Sequence, residues 1–144
     1  WDVSNVTDMS QMFYRAENFN NGDVPGDSNK PLNWDVSNVT NMSEMFYAAS
    51  NFNQDIRGWD VSSVTNMTLM FKNATSFNRD ISLWIVNHVS DMRQMFDNAK
   101  NFNNGGNPLT WNVDNSFTHM GFSMFRNCPI NPIPQWYDPY KYQG

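Results

Sequence analysis

The sequence is poor in the residues that do chemistry. It has one cysteine, two histidines and two glutamates in 144 residues. A lone Cys128 excludes an intrachain disulfide. Charged side chains make up only 16% of the chain and sum to −5, which does not suit a phosphate backbone, and no nucleic-acid partner is expected. No apolar run approaches the roughly 20 residues of a membrane-spanning helix, and no stretch reads as a signal peptide. His88 and His119 are the only imidazoles, and Glu17 and Glu44 the only glutamates. Cys128 shares a repeat with His119, but nucleophilic catalysis needs an exposed thiolate oriented by a third group. No enzyme and no cofactor are expected.

What is present is repetition. "WDVSNVTDMSQMF" opens the chain and returns as "WDVSNVTNMSEMF" at 34–46, "WDVSSVTNMTLMF" at 59–71 and "WIVNHVSDMRQMF" at 84–96. Trp falls at 1, 34, 59, 84, 111 and 136, in steps of 33, 25, 25, 27 and 25. The two longer steps carry insertions, around "GDVPGDSNKPLN" and in "NNGGNPLT", where Gly, Pro and Asn mark loops. The units are 1–33, 34–58, 59–83, 84–110 and 111–135, and 136–144 reads as a capping segment or linker. Because the pattern is already running at Trp1, the chain reads as part of something longer.

Two periodicities coexist in each unit. Ile56-x-x-Trp59-x-Val61 has the spacing of a short strand feeding a core, and Trp59, Asp60, Val61 alternate with the period of two that a strand requires. Met67, Met70, Phe71, Ala74 and Phe77 then follow a helical or 3₁₀ stripe, with Ser10, Ser43 and Thr68 as N-caps. Such a unit cannot bury its own apolar face, whereas stacked copies can. The predicted fold is therefore an α/β repeat solenoid, leucine-rich-repeat-like, of about five coils, each a short parallel strand plus a short helix or 3₁₀ turn.

The unit "WDVSNVTNMSEMFYAASNFNQDI" resembles a bacterial surface-protein repeat of about 25 residues, found in cell-wall-anchored proteins and mycoplasma lipoproteins. That family is related to the BspA-like, treponemal-type leucine-rich repeats, and the fifth copy, "FTHMGFSMFRNC", is similar to the BspA-like form. The resemblance covers residues 1–135. It implies an extracellular, cell-surface location within a larger protein, often an adhesive role, and no catalytic motif.

Function is sought on the outward positions of the predicted strand. They form ladders of Asn33, Gly58, Leu83 and Thr110; of Asp2, Asp35, Asp60, Ile85 and Asn112; and of Ser4, Ser37, Ser62, Asn87 and Asp114. Read functionally, this face holds a cation, a basic patch or sugar hydroxyls. Read structurally, each Asp bonds neighbouring backbone as Asx residues do. Asp23, Asp27, Ser28 and Asn29 offer oxygen ligands but lack the spacing of a calcium loop, and read as a turn. The M-x-x-M pairs lie within the apolar stripe and read as core rather than copper ligands. Asn5, Asn38, Asn66 and Asn73 head glycosylation acceptor motifs that the repeat itself generates. The expected function is recognition or adhesion, with the strand face binding a protein or glycan on a host, prey or neighbouring cell. A structural spacer and the tip of a phage or bacterial fibre are the alternatives.

Overall fold

A computed structural model describes residues 1–113 and 122–140. The repeats stack as tiers, but the expected α/β solenoid of strand-plus-helix coils is not what forms. Among the described residues the only helical element is a single 3₁₀ turn, Asn104–Gly106. Extended pairing is reduced to isolated parallel bridges, Asp8 to Asn41, Asn41 to Asn66 and Asn66 to Asp91. Each tier is instead a chain of four-residue turns. In the third tier the N–H groups of Trp59, Val64, Met70, Lys72, Ala74 and Phe77 donate to the carbonyls of Ile56, Val61, Met67, Leu69, Phe71 and Ala74. The Ile-x-x-Trp spacing is thus a turn, not a strand.

The helix fails for a backbone reason. Gln11, Glu44, Leu69 and Gln94 have φ between 53° and 59°, and Arg15, Ala48, Asn73 and Asn98 have φ between 53° and 59°. A left-handed residue every fourth position breaks an α-helix and suits the third position of a type II turn. What holds these residues there is the tier above. Met9, Gln11, Phe13 and Arg15 donate their N–H groups to the carbonyls of Asn41, Ser43, Met45 and Tyr47, at 2.7–3.0 Å. Met42, Glu44, Phe46 and Ala48 do the same to Asn66, Thr68, Met70 and Lys72. The hydroxyls expected to cap helices do not: the N–H groups of Ser10, Ser43 and Thr68 donate to the carboxyl or amide oxygens of Asp8, Asn41 and Asn66.

The core is a set of columns. Val, Met, Phe and Ala recur in register, and Val39, Met42, Met45, Phe46, Ala49 and Phe52 are fully buried, as are their equivalents one and two tiers on. Phe46, Phe71, Phe96 and Phe125 stack at 5.4–5.6 Å, and each of the first three pairs within its tier with Phe52, Phe77 or Phe102 at 4.0–4.2 Å. Indoles form a second column through Trp59, Trp84, Trp111 and Trp136, at 5.9–6.4 Å. Every indole N–H in that column donates to the carbonyl of the Leu or Ile that precedes the previous Trp, namely Leu32, Ile56, Ile81 and Leu109. Trp136 and Tyr137 pack over Trp111 and Phe125. Ile133, in register by sequence with the Ile of other tiers, is half exposed, and the neighbouring Pro134 is buried instead.

Candidate functional site

The outward ladder begins with three identical turns. One carboxyl oxygen of Asp2 accepts both the N–H (3.0 Å) and the hydroxyl (2.6 Å) of Ser4. Asp35 holds Ser37 at 3.1 and 2.6 Å, and Asp60 holds Ser62 at 3.0 and 2.6 Å. The hydroxyl bond first, then the backbone bond, keep each carboxyl below its ordinary range, so the ladder stays ionised. The second oxygen of each carboxylate is left for solvent or a partner. The Ser hydroxyls, half-buried, are already committed.

The fourth tier breaks the pattern. Ile85 stands where the first three tiers carry Asp and is 61% exposed, while Leu83, on the other side of the buried Trp84, is 80% exposed. Asn87 and Asn112 are exposed on the same face. Asp114 lies outside the described residues, as does His119. The structure therefore brings Asp2, Asp35, Asp60, Ile85 and Asn112 onto successive tiers of one surface.

Position five ties the tiers beside it: Asn38 donates to the Ser4 carbonyl at 2.8 Å, and His88 Nδ1 lies 2.9 Å from that of Ser62. The Asp23 carboxylate accepts the N–H groups of Asn29 and Val24 and so closes the first insertion as a turn. Among the described residues no three His, Cys, Asp or Glu gather as metal ligands. Cys128 takes the slot of Ala49, Ala74 and Ala99, and burial pushes its thiol up to about 11, which disfavours a thiolate.

Two features escaped the sequence reading. Asn20, Asn53, Asn78 and Asn103 form a ladder in which each side-chain oxygen accepts an N–H of the next tier, from Asn53, Asn78, Asn103 and Asn131, at 2.8–3.0 Å. Its signal was visible as the F-N pair of the first four units. The residue after the Met-Phe pair of each unit runs Tyr14, Tyr47, Lys72, Asp97, Arg126. The two rings stack at 4.8 Å, and Asp97 is buried between Lys72 Nζ at 3.1 Å and Arg126 Nη2 at 2.6 Å. Burial alone would raise the Asp97 carboxyl, but the bonds from Arg126 and Lys72 outweigh it and hold it low.

Two grooves open along the Trp edge. One, of about 430 Å³, is lined by Pro31–Asp35 and Asp55–Trp59. The other, of about 500 Å³, is lined by 108–111 and 132–136. Both follow an insertion that ends Pro-Leu-x-Trp. Residues 1–28 and 24–136 match the family described as Mycoplasma protein of unknown function, DUF285. The chain belongs to the DUF285 family. No curated protein and no solved structure matches it. The repeated unit of DUF285 is thus seen here as a turn-built tier whose inward ladders recur and whose outward ladder, uniform over three tiers, changes at the fourth.

Proposed function

We propose that this DUF285 chain is an extracellular recognition module of a larger bacterial surface protein, binding a protein or glycan on another surface through the ladder of Asp2, Asp35, Asp60, Ile85 and Asn112. Adhesion is the role that fits such a module, with no enzymatic activity. A finer kinship, to the BspA-like repeats, is proposed on the form of the fifth unit. The observation that carries the reading is the exposed Leu83 and Ile85 pair. Inward positions repeat faithfully, yet two large aliphatic side chains stand in water where other tiers place Asn, Gly, Thr or Asp. Exposed apolar surface rimmed by polar groups marks interaction sites.

The test is binding to a broad array of glycans and surface proteins, comparing the natural chain with Leu83→Asn combined with Ile85→Asp. Both substitutions copy residues that other tiers carry, so the fold is retained. Loss of binding in the variant supports the ladder as the site; unchanged binding overturns it. A spacer is the second reading, favoured by the Asp–Ser turns, which use half of each carboxylate internally. It predicts that neither protein binds anything on the array.

A further inference from the structure

We propose that the outward ladder takes a basic amphipathic helix of another protein, laid along the stack with cationic side chains over the Asp tiers and an aliphatic one over Leu83 and Ile85. This names the ligand class of the face described above and rests on the recognition reading. The surface is ordered along its length. Asp2, Asp35 and Asp60 are exposed on the first three tiers, Leu83 and Ile85 on either side of the fourth Trp, and Thr110 and Asn112 on either side of the fifth. No position of the three ladders is Lys or Arg. Arg57, which lines the groove beside Asp35, lies 3.2 Å from Asp55 and is already paired. Each ladder carboxylate spends one oxygen on its Ser and keeps the other. Asp35 and Asp60 also feel the charge of the Asp one tier before, a repulsion that a row of cations would relieve.

A glycan suits this surface less well. Trp59, Trp84 and Trp111, the rings set between ladder residues, are only 3–5% exposed, and their indole N–H groups are bound. The Ser hydroxyls are spent on Asp. What remains is a row of acceptor oxygens of one sign ending in two aliphatic side chains. Its complement is a row of cationic donors ending in an apolar anchor. The spacing selects a helix to carry them. Bridged backbones lie about 4.8 Å apart, and the Phe column repeats every 5.4–5.6 Å. An α-helix rises about 5.4 Å per turn, so one turn falls on each tier. Same-face residues of a strand are about 6.7 Å apart and lose register within about three tiers. Lys or Arg at i, i+4 and i+7, with Leu at i+11, form one stripe of a helix and meet the four tiers in order.

The experiment is titration of the whole chain with an Ala- and Gln-based helical peptide carrying that stripe of Lys and Leu, and with its reversed sequence. Controls are the same composition scrambled around the helix, and the stripe with Glu for Lys. The readouts are fluorescence anisotropy of the labelled peptide and the methyl resonances of Leu83 and Ile85. One of the two striped peptides is expected to bind saturably and shift those methyls. Asp35→Asn with Asp60→Asn should weaken it about tenfold, as should Leu83→Asn with Ile85→Asp; Asn112 shows that Asn fits the Asp position. Added salt should weaken binding to the natural chain, a check that needs no substitution. Failure of both striped peptides to bind overturns the proposal, as does equal binding of either control or indifference to both pairs of substitutions. If the array finds a glycan that depends on Leu83 and Ile85 while neither striped peptide binds, the recognition reading stands and the helix assignment falls.

Discussion

The residues that decide this fold are those held at positive φ without being glycine. Left-handed backbone costs an L-residue roughly 1–2 kcal/mol, yet each of the first four tiers accepts it at two residues, Gln11 and Arg15 and their equivalents, that donate N–H groups to the next tier. Neighbouring alanines make the point measurable. Ala48 has φ 53°, whereas Ala49 is fully buried. Ala48→Gly should raise stability by about 0.5–1 kcal/mol in a denaturant titration, the reverse of the usual effect of glycine. Ala49→Gly should lower stability by a similar amount. Indoles give a second contrast. Trp59 is 5% exposed and hydrogen-bonded to Leu32, while Trp1 is 95% exposed. Trp59→Ala should cost about 3–5 kcal/mol; Trp1→Ala should leave the melt unchanged. Asp97 provides the pH term. Its carboxyl titrates below the ordinary value in the fold, so its contribution is full above about pH 4 and is lost as pH falls through the depressed value. Asp97→Asn should lower neutral-pH stability by about 2 kcal/mol and flatten the acid limb of the stability curve. That cost is nearer a charge-assisted hydrogen bond than a buried pair, since Arg126 is 58% exposed.

At the scale of the element, the columns of Trp, Val, Met, Phe and Ala could be read from the sequence, and so could the positions of both insertions. The conformation joining them could not. Spacings of three, one, three and three suit a helical stripe and a run of four-residue turns alike. The feature separating the two is a left-handed backbone at Gln11, Glu44, Leu69 and Gln94, residue types that carry no such signal. At the candidate site the ladder of Asp and Ser was legible by position. That each Asp bonds neighbouring backbone was one of two readings, and spacing alone does not separate them; that it also takes the Ser hydroxyl was in neither. The asparagine ladder is the element whose removal should be felt most widely. Asn78 accepts the N–H groups of Asn103 and Gly105, at 2.8 and 2.9 Å. Asn78→Ala leaves both without that partner and should cost about 2–3 kcal/mol. Asn78→Asp keeps the acceptor and should recover most of the loss, as a pair of thermal melts would register.

Across the whole molecule, order without regular secondary structure has a spectroscopic outcome. Far-ultraviolet circular dichroism of the folded chain should lack the double minimum of an α-helix, while the near-ultraviolet signal of parallel Trp rings is strong. A helical spectrum would overturn the turn-built tier. The ladder bonds also have a direction. From Met9 to Asn98 the donors of the turn segments point to the following tier, and the carbonyls they meet point back. Peptide dipoles of about 3.5 D so aligned add along the axis rather than cancel, as they do within a helix. Only the bonds of Thr40, Thr65 and Ser90 to the Thr7, Thr40 and Thr65 carbonyls, with a few like them, run the other way. The stack is therefore an electric rod with a carbonyl-rich, negative head and an amide-rich, positive tail. Two such rods meeting end to end are attracted head to tail and repelled head to head. Growth by further repeats is accordingly a vectorial process, in which each new tier offers carbonyls to its predecessor and amides to its successor.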